Sequence, residues 1–218
     1  MTTNIEINNV KNIYDNIATD FSDKRFETWE WIKTFLNKLP NNSRILDIGC
    51  GNGRNMLDPR HTFVGIDNCA TFVNICKNRG LNVVYSDMAE LPFEDNSFDA
   101  IISIASFHHL SSIERRIKCL EEMKRVISHN GKILLSVWSK NQSHNNKKKF
   151  RYGDNYVPWK NIDGSVKGIR YYYIFNNTTL KTLLKKHFVI KKWYWDYGNE
   201  IIELINFEND IIFKDIKI

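Results

Sequence analysis

The chain has 218 residues, of which 42% are hydrophobic and 13% aromatic, enough for one domain with a full hydrophobic core. This composition excludes a wholly disordered chain, and with a mean hydropathy of -0.43 no stretch approaches the roughly 20 apolar residues that span a bilayer. The four cysteines form no CxxC pair and no zinc-ligand spacing, and the first residues lack a secretion signal. We therefore expect a cytoplasmic protein with no membrane partner and no metal site of its own.

Strand and helix patterns alternate along the chain. Helices are predicted from apolar residues at three- and four-residue spacing, and strands from short apolar runs. In chain order we predict helices at 9–18 and 28–39, a strand at 44–48, a tight turn at 49–53 followed by a brief helix, a strand at 62–66, a helix at 70–78, strands at 82–85 and 98–104, a helix at 112–128 capped by Ser112, a strand at 132–138, a loop at 140–151, a helix at 178–187, and strands at 189–197 and 200–207.

This alternation favours right-handed crossovers between parallel strands. Gly198-Asn199 is a hairpin signal between the last two strands, which we therefore expect to be antiparallel. The predicted fold class is α/β, with a doubly wound, mostly parallel, seven-stranded sheet and a terminal antiparallel hairpin. We expect a single domain over 1–218, with amino-terminal helices at about 4–39 and a basic insertion at about 140–177.

The net charge of +6 is unevenly distributed. Residues 140–192 carry 13 Lys and Arg against two acids, Asp154 and Asp163, whereas residues 1–139 carry 16 Lys and Arg against 17 acids. Such a basic block is compatible with a polyanionic partner and equally with a solvated lysine-rich surface.

A cofactor turn follows the first predicted strand, in the sequence DIGCGNG at 47–53. Its third glycine falls two residues after the second, which differs from the dinucleotide fingerprint GxGxxG. Acids also end the next two strands: Asp67 can accept both hydroxyls of a ribose, and Asp87 can accept the exocyclic amine of an adenine. Asp47 suits a cationic ligand. Together these residues predict a pocket for a positively charged nucleoside, which describes S-adenosylmethionine.

The segments DIGCGNG, GID and YSDMAELPFEDNSFDAIISI, in this order and spacing, resemble class I methyltransferases. The chain is further similar to the wobble-uridine tRNA methyltransferases in IYDNIATDFSDKRFETWEWIKTFL, SIASFHHLSSIERRIKCLEEMKRVI, YVPWK and RYYYIF, which together cover most of residues 8–180. This resemblance implies that S-adenosylmethionine is used to esterify the carboxylate of 5-carboxymethyluridine in the tRNA anticodon loop. It also implies a heterodimer with a small zinc-containing activator subunit supplied by another chain.

Three sets of site residues are expected on these grounds. The cofactor-binding set is Tyr14, Asp47, Gly49, Cys50, Gly51, Gly53, Asp67, Asn68, Asp87, Met88 and Ile104. The set expected to position the reacting carboxylate is Arg25, His109, Arg116, Arg170 and Tyr171. The set expected to contact tRNA is His108, Arg115, Lys147, Lys148, Lys149, Trp159 and Lys160.

Several of these residues also have an ordinary structural interpretation. Arg25 could pair with a neighbouring surface acid, His108 could pack at a strand end, and Tyr14 could belong to the core. Two other functions remain open: a small-molecule methyltransferase with the same cofactor turn, and a non-catalytic subunit that binds the cofactor or RNA. The basic aromatic block at 147–173 argues against the first, and the intact glycine turn with its three acids argues against the second.

Overall fold

The computed structural model describes residues 1–23, 25–142 and 149–207. Its strands are β1 (Arg44–Ile48), β2 (Thr62–Asp67), β3 (Val83–Tyr85), β4 (Phe98–Ile104), β5 (Ile127–Trp138), β6 (Gly153–Lys160), β7 (Val166–Ile174), β8 (Val189–Asp196) and β9 (Asn199–Ile205). Seven of them form one sheet in the order β3-β2-β1-β4-β5-β9-β8. Strands β1 to β5 are parallel, and β9 is antiparallel to both of its neighbours. The predicted fold class is confirmed.

Helices cover both faces of this sheet because adjacent residues of each central strand point to opposite sides. The helices are α1 (Asn4–Glu6), α2 (Asn12–Ser22), α3 (Glu30–Leu36), α4 (Ala70–Asn78), α5 (Ile113–Val126) and α6 (Asn177–Lys185). In β1, Leu46 belongs to the apolar cluster that includes α5 and α6, whereas Ile45 belongs to the cluster that includes α3 and α4. None of the helices in the described part of the chain is long and apolar enough to cross a membrane.

The amino-terminal helical stretch is longer than the predicted 9–18. A π-helical segment at Ile7–Lys11 joins α1 to α2, so the chain is helical from residue 4 to residue 22. The Thr3 side chain begins the stretch by accepting a hydrogen bond from the Glu6 amide at 3.2 Å. Apolar spacing missed this first turn because a polar cap and a single π turn leave no 3.6-residue pattern.

The predicted brief helix after Gly53 is wrong, because the chain continues through isolated turns to β2. Two carbonyls in this segment are taken by side chains from elsewhere in the fold. The Thr28 hydroxyl donates to the Arg54 carbonyl at 2.7 Å, and the Arg79 guanidinium donates to the Asn52 carbonyl at 2.8 Å. A helix would need those carbonyls for its own amides.

The insertion contains a hairpin that the sequence interpretation missed. Strands β6 and β7 pair antiparallel in a separate two-stranded sheet, where we predicted only a basic insertion. Tyr172 of β7 is buried and stacks on Trp138 of β5, with the ring centroids 4.0 Å apart and the planes nearly parallel. The lysine-rich composition hid the strand alternation, and this hairpin fixes one wall of the site described below.

Candidate active site

A cavity of about 240 Å³ opens at the carboxyl ends of β1, β2 and β4. This is where ligands bind in doubly wound sheets, since the connections to either side leave a crevice there. The first part of its lining comes from the helical amino terminus and from the turns after β1, β2 and β3. The second part comes from the segment after β4, including His109, and from Arg170 and Tyr172 of the insertion hairpin. The cofactor turn and the insertion therefore face one another across a single space.

The glycine turn forms the floor of the cavity. Gly51 has a positive φ of 54°, and a Cβ added there would meet no atom within 4 Å, so a side chain would fill space left open for a ligand. A Cβ on Gly49 would instead overlap the Ser106 side chain. Gly53 does not line the cavity and packs against Leu81 and Cys76, which corrects its predicted contact with the cofactor. Four other predicted cofactor residues do line it: Cys50, Asn68, Met88 and Ile104.

Asp67 ends β2 at the cavity wall. Its carboxylate accepts hydrogen bonds from the Gly51 amide at 2.8 Å and the Cys69 amide at 2.9 Å. Burial raises the pKa of Asp67 to about 6, although these two amides oppose that shift. The carboxylate is therefore held in a fixed orientation beside the turn, as a residue that accepts the two hydroxyls of a ribose requires.

Replacing Asp67 with asparagine is expected to weaken S-adenosylmethionine binding roughly 10- to 100-fold at pH 7.5, because the ribose loses a charged acceptor. Since the wild-type pKa is raised to about 6, wild-type affinity should fall as the pH drops from 7 to 5, and the variant should lose this dependence. Calorimetric titration across that range measures both effects. Equal pH profiles for the two proteins would contradict the ribose role.

Asp47 lies beneath the floor of the cavity and does not line it. The residue is completely buried, and neither carboxylate oxygen has a hydrogen-bond partner among the described residues. Burial, together with the nearby negative charge of Asp67, raises the pKa of Asp47 to about 8. An unpartnered buried carboxylate is costly, and a cationic ligand above the turn would compensate for it.

Asp87 lines the cavity and also has protein partners, and its contact with adenine stays a prediction. The Arg115 guanidinium donates to both carboxylate oxygens at 2.7 and 2.6 Å, and the Ala89 amide and the Thr2 hydroxyl also donate to them. Although burial alone would raise it, the pKa of Asp87 is lowered by these donors. All four acceptor positions of the carboxylate are therefore occupied. Arg115, predicted to contact tRNA, is neutralised by Asp87 and by Glu6 at 3.0 Å.

A directed chain of hydrogen bonds crosses the cavity wall. His109 Nδ1 lies 2.7 Å from the Tyr171 carbonyl, which can only accept, so Nδ1 carries the hydrogen. In the neutral ring Nε2 therefore accepts from the Tyr14 hydroxyl at 3.1 Å, and Tyr14 in turn accepts from Tyr172 at 3.1 Å. Burial lowers the pKa of His109 to about 4. The imidazole is consequently neutral at physiological pH, and both of its nitrogens are occupied.

Three arginines in the lining have no carboxylate partner among the described residues: Arg25, Arg54 and Arg170. The Arg25 guanidinium lies 3.9 Å from the ring centroid of Phe21 and 5.8 Å from that of Trp159. Arg170 is almost completely buried, 4.9 Å from the Trp159 centroid, and its Nε has no acceptor in the described part of the chain. Arg25 and Arg54 are half-buried. Burying a guanidinium group without a counter-charge is expensive, and an anionic ligand would compensate for that cost.

The comparisons with known proteins agree with this geometry. A methyltransferase domain model matches residues 46–135. The tRNA (carboxymethyluridine(34)-5-O)-methyltransferase of Schizosaccharomyces pombe is 39% identical over 153 residues, which cover 69% of this chain and 67% of that protein. This chain belongs to the same family. The Arabidopsis thaliana protein of the same name is 42% identical over 142 residues, covering 65% of this chain and 35% of that protein. The chain thus spans about a third of the length of that relative.

Membership of the carboxymethyluridine methyltransferase family confirms the predicted resemblance, and the methyltransferase domain confirms S-adenosylmethionine as the cofactor. Among solved structures, a putative methyltransferase in complex with the Haloferax volcanii Trm112 methyltransferase activator has the same fold. It superposes with a TM-score of 0.64 at 16% identity, covering 89% of this chain and 98% of that one.

Two residues predicted to position the reacting carboxylate lie outside the cavity. Arg116 is buried, donates to the Leu110 carbonyl at 3.0 Å and stacks 3.5 Å from the Tyr173 ring centroid. The Tyr171 side chain points to Asp154, whose carboxylate accepts its hydroxyl at 2.7 Å, and only its backbone carbonyl reaches His109. The position of Arg116 around its helix directs its side chain away from the cavity. The side chain of Tyr171 points away because successive residues of a strand face opposite sides.

The residues predicted to contact tRNA lie in different environments. His108 is completely buried and its Nδ1 accepts from the Trp138 amide at 3.0 Å, which is the packing role and leaves no exposed surface for the predicted RNA contact. The ring centroid of Trp159 lies 5.8 Å from the Arg25 guanidinium and 4.9 Å from the Arg170 guanidinium, two residues that line the cavity. Lys149 and Lys160 are exposed. Lys147 and Lys148 fall outside the described residues.

Sequence reasoning missed several lining residues of the family's site. They are Asn52, Arg54, Phe72, Ser106, Trp138 and Tyr172. Arg54 had a usable signal, because it immediately follows the glycine turn and a cation there faces any ligand bound on the turn. The others had none, because their positions depend on packing between distant segments, such as the stacking of Trp138 on Tyr172.

Proposed function

We propose that this protein uses S-adenosylmethionine to esterify the carboxylate of 5-carboxymethyluridine at the wobble position of tRNA, which forms 5-methoxycarbonylmethyluridine. The observation that carries the proposal is the pair Arg25 and Arg170, two guanidinium groups without carboxylate partners in the described chain that line the same cavity as the glycine turn. Their charge favours an anionic acceptor next to the cofactor. The names of the relatives supply the identity of that acceptor.

The cavity is suited to an acceptor that is ionised before it binds. A carboxylate with a solution pKa of about 4 is ionised at neutral pH and needs no general base. His109 cannot serve as one, because Nδ1 donates to a carbonyl and Nε2 accepts from Tyr14. When bound, S-adenosylmethionine supplies an electrophilic methyl group. A hydroxyl or amine acceptor would need a base, and the directed hydrogen bonds leave none at this position.

The protein's contribution is positioning in a site from which water is excluded. Transfer of a methyl group from a sulfonium to a carboxylate neutralises two opposite charges, so a partly buried cavity favours the reaction over bulk water. Holding the sulfonium and the carboxylate in line further lowers the activation free energy. Arg25 and Arg170 would orient the carboxylate, and the hydrogen bonds of His109 and Tyr14 would fix the wall that it faces.

The RNA side of the proposal involves Trp159 and the lysines of the insertion. Trp159 is partly exposed and close to the guanidinium groups of Arg25 and Arg170, and its ring would stack on an unpaired anticodon base. Lys149 and Lys160, with Lys147 and Lys148 of the sequence, would contact phosphates and add affinity without sequence selectivity. A small zinc-containing activator subunit and a cytoplasmic location complete the proposal. The activator in the Haloferax volcanii complex and the four buried free cysteines support them.

Replacing Lys147, Lys148 and Lys149 with alanine is expected to weaken tRNA binding and to flatten its salt dependence. Each lost phosphate contact lowers the slope of log K against log salt by about 0.7 to 0.9. A matched triple alanine variant of Lys181, Lys185 and Lys186 on the α6 side removes the same charge elsewhere and should leave the slope nearly unchanged. Fluorescence titration at several salt concentrations measures both. Identical slopes for the two variants would remove the insertion from the RNA site.

The proposed function is tested by nucleoside mass analysis of tRNA after incubation with methyl-labelled S-adenosylmethionine, with and without a candidate activator subunit. A labelled methyl ester on the wobble uridine is the expected product. Label on another nucleoside, or label only in small molecules while the tRNA stays unmodified, would overturn the assignment.

A further inference from the structure

The turn between β8 and β9 holds a tyrosine that local structure does not favour. Asp196 pairs with Asn199 across a two-residue turn of Tyr197 and Gly198, which have positive φ angles of 42° and 83°. Such turns favour asparagine followed by glycine, because a bulky side chain is strained at positive φ. Tyr197 is also 78% exposed, and its side chain makes no hydrogen bond or ring contact with the described residues. Neither the backbone conformation nor burial accounts for a tyrosine here.

The segment after β5 holds this turn beside a second exposed aromatic residue. The Gln142 side-chain amide donates to the Gly198 carbonyl at 3.1 Å, and the neighbouring Asn141 carbonyl accepts from the Trp195 indole at 2.9 Å. Trp195 belongs to β8, the edge strand of the main sheet, and it is exposed. Adjacent residues of one segment therefore fix both Trp195 and the turn that contains Tyr197.

The same segment adds a third ring and a positive charge. The ammonium of Lys140, which is exposed, lies 4.7 Å from the ring centroid of Tyr152, which is exposed as well. We call Lys140, Tyr152, Trp195 and Tyr197 the aromatic corner. Exposed rings suit single-stranded nucleic acid, because every base has a face that can stack. Since Asp196 balances the charge of Lys140 at this corner, stacking would supply most of the affinity.

The aromatic corner lies at the same edge of the sheet as the cavity. Trp138, which lines the cavity, pairs with Asn199, and Asn199 pairs with Asp196, so these residues are level across β5, β9 and β8. Adjacent strands are about 4.8 Å apart, which places the turn roughly 10 Å from the backbone of Trp138. A stacked nucleic-acid strand advances about 3.4 Å per nucleotide. About three nucleotides would therefore span the distance from the edge of the cavity to the corner.

We infer that the aromatic corner binds unpaired bases of the tRNA anticodon loop by stacking, while the wobble nucleotide occupies the cavity. This inference rests on the proposed function for the identity of the RNA. It adds a second stacking surface to Trp159, which lies close to the cavity arginines. The corner favours an open loop over a duplex, because the bases of a duplex already stack on one another.

The variant Tyr197→Asn distinguishes this role from a structural one, because the two roles predict opposite effects on stability. Asparagine is favoured at positive φ, so the variant should unfold at a higher temperature than the wild type. It should also bind a stem-loop RNA with the sequence of the anticodon arm roughly 5- to 100-fold more weakly, the range expected for one lost stacking contact. Thermal unfolding and fluorescence anisotropy with labelled RNA measure the two effects on the full chain.

The salt dependence of RNA binding separates stacking from charge. Tyr197→Asn removes no phosphate contact, so the affinity should fall by the same factor at every salt concentration and the slope of log K against log salt should not change. The matched control Tyr85→Thr removes an exposed ring from β3, at the opposite edge of the sheet, and should leave RNA affinity unchanged. S-adenosylmethionine affinity should be the same in both variants and in the wild type.

Three results would overturn the inference. RNA affinity that falls no further in Tyr197→Asn than in the control would remove the corner from the RNA site. A variant that unfolds at a lower temperature would show that the tyrosine serves the fold. Unchanged RNA affinity with weaker binding of an activator subunit would assign the corner to a protein partner. These titrations require no methyl transfer, so RNA that binds and stays unmethylated would contradict the proposed function alone.

Discussion

Replacing Arg170 with glutamine is expected to lower the rate of tRNA methylation roughly 100-fold, with little change in S-adenosylmethionine affinity. Arg170 is 4% exposed, and its Nε lacks an acceptor in the described chain, so the guanidinium has no competing internal partner. Glutamine keeps a donor of similar shape and removes the charge that holds the acceptor in line. Single-turnover kinetics at saturating cofactor measure the effect separately from product release.

The matched control is Arg151→Gln, which removes the same charge from an exposed position of the insertion outside the cavity. The Arg151→Gln substitution should change the rate of methylation little at moderate salt, because an exposed charge is well screened. Equal losses in the two variants would indicate a general electrostatic effect on RNA binding. Full activity of Arg170→Gln would refute the positioning role and would leave Arg25 as the sole candidate for the acceptor.

Replacing Asp47 with asparagine is expected to stabilise the unliganded protein and at the same time to weaken S-adenosylmethionine binding. A carboxyl whose pKa is raised to about 8 in the folded chain holds its proton more tightly than in the unfolded chain, where the pKa is about 4. Stability is therefore lost as the pH rises between these two values, by up to about 5 kcal/mol near pH 8. Asparagine does not ionise and should abolish this loss.

Thermal unfolding between pH 5 and pH 8.5 measures this difference. The Asp47→Asn variant should unfold at a higher temperature than the wild type at pH 8, and the two should converge toward pH 5. Glu94→Gln, at an exposed position, serves as the control for a lost surface charge. A wild type and variant that differ by the same amount at every pH would contradict the raised pKa of Asp47. A variant with undiminished cofactor affinity would contradict its role toward the cationic end of the ligand.

The cavity is built around ionisable groups that the described part of the fold leaves unpaired. Ionisable groups lack a partner of opposite charge among the described residues: the Asp47 carboxyl beneath the glycine turn, and three arginines along the cavity walls. Each costs stability in the unliganded protein, and each is satisfied only when a ligand of opposite charge is bound. Arg115 shows the contrast, because its pairing with Asp87 and Glu6 makes it a structural element that orders the amino-terminal segment.

The strands of the main sheet and the glycine turn could be predicted from the amino-acid sequence alone. Period-two and apolar runs predicted all seven strands of the main sheet, and the glycine spacing with Asp67 predicted a pocket after β1, where the structure has a cavity. These features are local. A strand pattern depends on immediate neighbours in the chain, and the turn at Gly51 depends on the positive φ that glycine permits. For this reason the order of the predicted helices and strands along the chain was sufficient to predict the fold class.

The tertiary structure alone decided which charged side chains face the cavity. Arg116 and Arg170 are both buried arginines, yet one stacks on Tyr173 outside the cavity and the other lines it. The packing of the hairpin β6–β7 against Trp138 also places the Tyr172 hydroxyl 3.1 Å from that of Tyr14. Composition cannot distinguish such cases, because the direction of a side chain depends on helix rotation, strand register and contacts between segments that lie far apart in the chain.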